Sequence, residues 1–314
     1  MKGSRFEREP FIGSRFRLLA YAKINLTLEI LARHADGYHT LRSVMIPVGL
    51  ADELRIEPAA AFRFECDPPA LAADNLVVRA LARIGRDAAP LRVQLRKAIP
   101  AGAGLGGGSS DAAAVFRMAI DGELGAMPGR DWFAEARALG SDIPFFLAGD
   151  GALVEGTGEQ VTALGGALPP WWVVLAMPAV HVSTSEAYRL LASERERQPV
   201  PSRPRDESAS LRVVDALRRA DFGAVCRAAI NDFEHLVAAA YPPVAATLAA
   251  LRSAGARLAM LSGSGGACFA LEATEARAQA VAARLRVAAD TRIAVVPFAP
   301  TRGAGITVQA PAAP

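Results

Sequence analysis

Five of the seven residues from Gly102 to Gly108 are glycine, within the stretch "AIPAGAGLGGGSSDAAAVF" that runs from Ala98 to Phe116. An ordinary turn needs one or two glycines for positive φ, whereas a run of them lets successive backbone N–H groups approach a ligand closely. Ser109, Ser110 and Asp111 follow, and then "AAAVFRMAI", which together read as a helix N-terminus and a helix over Asp111 to Ile120. A glycine loop opening onto a helix start is an anion site. The unsatisfied N–H groups and a dipole worth about half a unit charge both favour negative charge there.

Several loop types satisfy that description. Gly102, Gly104 and Gly107 match G-x-G-x-x-G, but the strand leading in, "LRVQLRK", is polar at alternate positions. The first strand of a dinucleotide-binding sheet is buried on both faces and reads as a continuous apolar run. A Walker A loop fails because the lysine position holds Gly108. The protein-kinase set fails because no V-A-I-K, H-R-D or D-F-G combination accompanies the loop. A plain flexible hinge would not need the close coupling to Ser109, Ser110 and Asp111.

Around the loop the hydrophobic period alternates between strand and helix. In "YAKINLTLEILA", Ala22, Ile24, Leu26, Leu28 and Ile30 alternate with Tyr21, Lys23, Asn25, Thr27 and Glu29, which predicts a half-buried strand with Lys23 and Asn25 on its polar face. The Asp-Gly of "ADGYHTL" predicts a hairpin into "SVMIPVGL", with a further strand at "ELRIEP". A capped helix at "DNLVVRALARIG", a strand at "LRVQLRKAI" and a helix from Asp131 to Leu139 closed by Gly140 complete the first half. From Trp171 the order is β-α-β-β-α-β with helices inserted in the first connection. The polar, proline-rich stretch from Ala192 to Ser210 reads as a mobile loop. The predicted class is α+β with two domains, 15–168 and 169–300, divided near "GGALPP", and with flexible tails at 1–14 and 302–314.

Composition excludes other classes. At 314 residues and 52% hydrophobic the chain can build cores in two domains. The apolar run "WWVVLAMPAV" is broken by Pro178 well short of the roughly 20 residues of a membrane helix, so no membrane span is expected. The amino-terminal segment carries Glu7 and Glu9 and lacks an apolar core, which points to a cytoplasmic protein with no secretory signal. Lys and Arg number 35 against 32 Asp and Glu, spread along the chain, so no nucleic-acid partner is expected. Cys66, Cys226 and Cys268 form no C-x-x-C pair, and His34, His39, His181 and His235 show no ligand spacing, so neither a disulfide framework nor a protein-built metal centre is expected.

"PAGAGLGGGSSDAAA" resembles the phosphate-binding signature of the galactokinase–homoserine kinase–mevalonate kinase–phosphomevalonate kinase superfamily, which builds its ATP site without a Walker lysine. "AKINLTLEI" and the second Gly/Ser loop "LSGSGGACFAL" match the same superfamily in order. "ADGYH" and "LGSDIPFFLAGDGALVEGTGE" are similar to its branch whose acceptor is a cytidylated sugar alcohol. The resemblance covers Leu18 to Pro297 and departs at "MPAV" from Met177, where a "PG" step is more usual. It implies a ribosomal-protein-S5-like amino-terminal domain and a ferredoxin-like carboxy-terminal domain. It also implies transfer of a phosphoryl group from ATP, with Mg²⁺, to the 2-hydroxyl of the cytidylated acceptor in non-mevalonate isoprenoid biosynthesis, by a monomer or weak homodimer. The alternatives are another member such as a homoserine or mevalonate kinase, or a nucleotide-binding sensor without activity.

By the same resemblance, Pro100, Gly102, Gly104, Leu105, Gly106, Gly107, Gly108, Ser109 and Ser110 hold the phosphates, with Ser110 a candidate contact to Mg²⁺. By its place before Pro144 alone, Asp142 reads as a helix cap, whereas the matching aspartate of the resembling kinases faces the accepting hydroxyl as base, and both roles can coexist at a helix start. Lys23, one of only three lysines, pairs with Asp142, and Asn25 orients the acceptor from the same strand face. Tyr38 stacks on cytosine and His39 hydrogen-bonds it, with Tyr188 on the opposite side and Thr184 near the diphosphate. Asn75 belongs to the adenine pocket or caps its helix, and Gly263 and Gly265 close over the phosphates or the acceptor.

Overall fold

The long alternating stretch becomes β1, Arg15–Arg33, paired antiparallel with β2, His39–Pro58. The structure is a computed structural model, and it describes residues 15–33, 39–125, 127, 129–197, 208–299 and 306–309. Register shifts interrupt the β1/β2 ladder between Tyr21 and Ala22, between Asn25 and Thr27, and between Ile30 and Ala32. An extra residue in a ladder re-aims the side chains beyond it. Hence Leu18 lies in the core under the amino-terminal helices, Ala22, Ile24 and Leu26 in the core between two sheets, and Leu28 and Ile30 in a third core under the carboxy-terminal helices.

β1 is not half-buried as its period predicts. Lys23, Asn25, Thr27 and Glu29, the polar half of the alternation, are all buried. The stretch at "ELRIEP" is the far half of β2.

The first half continues with β3 (Arg63–Asp67), α1 (Leu76–Arg83), β4 (Leu91–Arg96), α2 (Gly107–Ile120), α3 (Trp132–Leu139), α4 (Ile143–Ala148), β5 (Ala152–Gly156) and β6 (Gln160–Ala163). Then come β7 (Trp172–Met177), α5 (Thr184–Arg197), α6 (Ala209–Arg218), α7 (Phe222–Ala228), β8 (Ile230–Asn231), α8 (Glu234–Ala240) and α9 (Pro242–Ser253). The chain closes with β9 (Leu258–Leu261), β10 (Cys268–Glu272), α10 (Glu275–Arg284), β11 (Arg292–Pro297) and β12 (Ile306–Gln309). The larger sheet has the order β12-β1-β2-β4-β3, with β5 on β2, β6 on β5 and β8 beside β1. The smaller has the order β11-β7-β10-β9, the antiparallel arrangement that a β-α-β-β-α-β path produces.

The sheets stack face to face. Ala22, Ile24, Val44 and Ile46 of the larger meet Val173, Leu175, Phe269 and Leu271 of the smaller in one core. The outer face of the larger sheet carries α1 to α4, and that of the smaller carries α5 and α8 to α10.

Three local expectations change. α2 begins at Gly107 rather than Asp111, because the last glycines of the loop already form its first turn. α5 runs on to Arg197, while Ser208 caps α6 and Ser210 is buried, so only 198–207 of the polar stretch lies outside the described residues. Residues 306–309, placed in a tail by the sequence reading, form β12 against β1. The predicted tail at 1–14 lies outside the described residues.

Candidate active site

The glycine loop is held by protein contacts as well as shaped for a ligand. A Cβ on Gly104, whose φ is +79°, would stand 2.1 Å from the Ser262 carbonyl oxygen, and one on Gly265 would stand 2.1 Å from the Gly104 nitrogen. The two glycine loops therefore interlock backbone to backbone. The Ala267 N–H donates to the Ala103 carbonyl at 2.9 Å, and Ser262 Oγ donates to the Gly104 carbonyl at 3.2 Å. Gly106, in the left-handed region, is the cap residue of α2. The N–H groups of the first turn, at Gly107, Gly108 and Ser109, have no partner within a helix of this kind, a geometry that favours an anion. Gly108 is exposed, and only Leu76 would touch a Cβ there, at 3.4 Å. Ser110 is buried and lines a cavity of about 670 Å³ with Tyr21, Arg117 and Phe146.

Lys23 lies below the interlocked loops. Its backbone N–H donates to the Leu105 carbonyl at 2.9 Å, which ties β1 to the loop. Its Nζ donates to Asn25 Oδ1 at 2.6 Å and lies 3.8 Å from Asp142 Oδ2. Burial pushes the Lys23 ammonium down from its ordinary pKa, and the Asp142 charge opposes that shift. Asp142 occupies the cap position of α4, yet its side chain makes no capping hydrogen bond. The carboxylate is turned to Lys23 instead. A Cβ on Gly263 would lie 3.1 Å from Lys23 Nζ and 3.3 Å from Asn25 Oδ1, so the second loop covers this pair.

Behind Lys23 runs a buried polar chain. Asn25 Nδ2 donates to Ser43 Oγ at 2.8 Å, and Ser43 Oγ donates to the Thr27 carbonyl at 2.6 Å. Thr27 Oγ1 bonds Ser210 Oγ at 2.7 Å, and Ser210 and Ser208 both donate to Glu29. Burial pushes the Glu29 carboxyl up, but the bonds from Ser210, Ser208 and Ala209 outweigh it and hold the group below its ordinary value. Such a satisfied network keeps Asn25 and Lys23 in one geometry.

His39 and Tyr188, which the resemblance assigns to the acceptor, are brought together, with ring centroids 5.0 Å apart at 31°. Tyr188 also meets Phe233 edge-on at 4.9 Å. Burial and then the Asp142 charge push its hydroxyl up to about 12. Thr184 Oγ1 accepts from Ser264 Oγ at 3.1 Å. Tyr38 lies outside the described residues. Asn75 caps α1: its Oδ1 accepts from the Val77 N–H at 2.9 Å and its Nδ2 donates to the Leu71 carbonyl at 2.7 Å. Leu76 beside it borders Gly108.

One cluster escaped the sequence reading. Lys97 Nζ bonds both Asp52 and Asp111, while Asp52 Oδ1 accepts the N–H groups of Ala98 at 2.5 Å and Ile99 at 2.8 Å. The two carboxylates thus staple the entry of the loop to the second turn of its helix. Burial pushes the Asp111 carboxyl up to about 7 against the pull of Lys97, and its Oδ1 has no partner. The scarcity of lysine was the one signal for Lys97; nothing in "LADEL" marks Asp52.

Fold and site together define the class as GHMP kinases. Family models described as "GHMP kinases N terminal domain" and "GHMP kinases C terminal" match residues 75–150 and 213–289. The 4-diphosphocytidyl-2-C-methyl-D-erythritol kinase of Cereibacter sphaeroides is 40% identical over 275 residues, covering 86% of this chain and 94% of that one. The enzyme of the same name from Deinococcus radiodurans is 42% identical, covering 85% and 87%. A crystal structure of 4-(cytidine 5'-diphospho)-2C-methyl-D-erythritol kinase superposes with a TM-score of 0.69 at 33% identity, covering 90% of this chain and 99% of that one. The chain belongs to the 4-diphosphocytidyl-2-C-methyl-D-erythritol kinase family, whose members are ATP-dependent phosphotransferases with an alcohol acceptor. Homoserine kinase from Cytophaga hutchinsonii, 19% identical with a TM-score of 0.67, shares the fold. No described helix is long and apolar enough to cross a membrane.

Proposed function

We propose that this chain transfers the γ-phosphoryl group of ATP to the 2-hydroxyl of 4-diphosphocytidyl-2-C-methyl-D-erythritol, giving the 2-phosphate and ADP. The observation that carries the reading is the buried Lys23 ammonium, 3.8 Å from the Asp142 carboxylate and roofed by the two glycine loops. The acceptor oxygen forms a bond to Pγ as the bond from Pγ to the β,γ-bridging oxygen breaks, and the hydroxyl proton passes to Asp142. Lys23 stands beside Asp142 and offsets the negative charge that gathers between acceptor and nucleotide. Asn25, fixed by Ser43, orients the acceptor. His39 and Tyr188 hold the cytosine together with Tyr38.

The first turn of α2 fits a triphosphate, because its donors are unsatisfied and Gly108 leaves its face open. Among the described residues no cluster of three or more His, Cys, Asp or Glu side chains could hold a metal. Mg²⁺ would be carried by the phosphates, with the hydroxyls of Ser109 and Ser110 the residues that would help to hold it, and it would supply charge neutralisation. A coupled assay of ADP release tests the reading. Turnover with the cytidylated acceptor and none with homoserine or mevalonate is expected, and the opposite pattern refutes it.

A further inference from the structure

Residues 178–183 join β7 to α5, and the segment they begin touches each part of the site in turn. The imidazole of His181 fills the space where a side chain on Gly102 would stand: a Cβ there would lie 2.0 Å from His181 Nδ1 and 2.3 Å from Cε1. One residue earlier, the carbonyl oxygen and Cγ1 of Val180 close on Gly266 of the second loop, within 3.0 and 2.9 Å of its missing Cβ. Val182 is buried beneath. Thr184 bonds Ser264 of the second loop, and Ser183 Oγ accepts the Glu186 N–H at 3.2 Å to start α5. One helical turn beyond Thr184 stands Tyr188, against His39.

A single short segment thus links the phosphate loop, the second glycine loop and the ring assigned to the acceptor base. α5 is a continuous helix from Thr184 through Tyr188, and His181 on Gly102 stands three residues before its first residue, on the same short connection. We infer that residues 180–184 form a strap that couples the two substrate sites, with His181 as a positioning residue for the phosphate loop. Filling the base pocket holds the strap in place against Gly102, so ATP meets a loop already ordered; the reverse follows from linkage. This inference rests on the assignment of ATP to the first loop and cytosine to Tyr188.

Calorimetric titrations of a non-hydrolysable ATP analogue and of the cytidylated acceptor, each alone and each with the other saturating, test the strap. In the wild type each ligand should tighten the other by at least about fivefold, the lower end of usual coupling. In His181→Ala the mutual effect should fall below about twofold, with each ligand alone changed much less than the coupling is. Wild-type ligands that bind independently overturn the inference, as does a His181→Ala protein that keeps the coupling but loses analogue affinity without acceptor, the mark of a direct phosphate contact. A wild type that does not bind the cytidylated acceptor overturns the functional reading and the strap with it.

Discussion

Asp142→Asn separates chemistry from structure at this site. The side chain makes no capping bond in α4, so the usual loss of about 0.5–2 kcal/mol for a removed cap does not apply. What is removed is the charge 3.8 Å from Lys23. Unit charges at that distance attract by about 4 kcal/mol at the effective dielectric of a protein surface, and the 31% exposure of the Asp142 side chain reduces this through solvent screening. The fold should survive, because Lys23 keeps its bond to Asn25 and can release its proton. The rate should not. Loss of a general base costs about 10²–10⁴ in kcat. Asp142 is also the charge that raises the Lys23 pKa against burial. Without it the ammonium is lost at lower pH, so the residual activity should decline earlier on the alkaline side than in the wild type. Steady-state kinetics from pH 6 to 10, with ATP-analogue binding and a thermal melt as controls, measure all of this. A folded, ligand-binding variant with kcat within about threefold of the wild type would refute the assignment and leave positioning by the loops to explain catalysis.

Asp111 should make the protein less stable as pH rises. Its folded pKa of about 7 stands above the ordinary value of 3.8, so its stabilising contribution is complete below about 4 and is lost as pH climbs through 7. Besides Lys97 and Asp52, Cys66 and Asp67 belong to the same charged neighbourhood. Melts of Asp111→Asn against wild type should show an advantage for the variant that grows between about pH 4 and 7 and then levels; a constant difference counts against the buried charge. Tyr188→Ala should weaken the cytidylated acceptor by several-fold to about a hundredfold, the range of base–aromatic stacking, and leave analogue binding to the acceptor-free protein unchanged. Binding isotherms for both ligands show whether the pockets are exchanged. Gly108→Ala should raise stability by about 0.5–1 kcal/mol, since the position is helical and open, and should weaken ATP, since the added methyl crowds the donor face. An unchanged ATP KM would place the phosphates elsewhere.

The sequence by itself determined which local structures were possible. Alternation in "YAKINLTLEILA" can only be a strand, and a run of glycines before a helix start can only be a close-approach loop. Their reading as strand-loop-helix held, as did the hairpin, the helix closed by Gly140 and the β-α-β-β-α-β order, because the period and end signals of each element are written in its own residues. Tertiary structure decided what those elements face. The bulges in β1 turn one strand toward three cores, and with helices and loops packed on both sides its polar residues became a buried network rather than a solvated face. No local period encodes that, since register shifts arise from pairing with β2. Tertiary structure also brought Lys23 from β1 to the side of Asp142, whose carboxylate makes no capping bond although its neighbours read as a helix cap. It joined Asp52, Lys97 and Asp111 for the same reason. Burial and charge pairing across distant segments are properties of the packed chain, because the desolvation that makes such a pair matter exists only once the sheets and helices close around it.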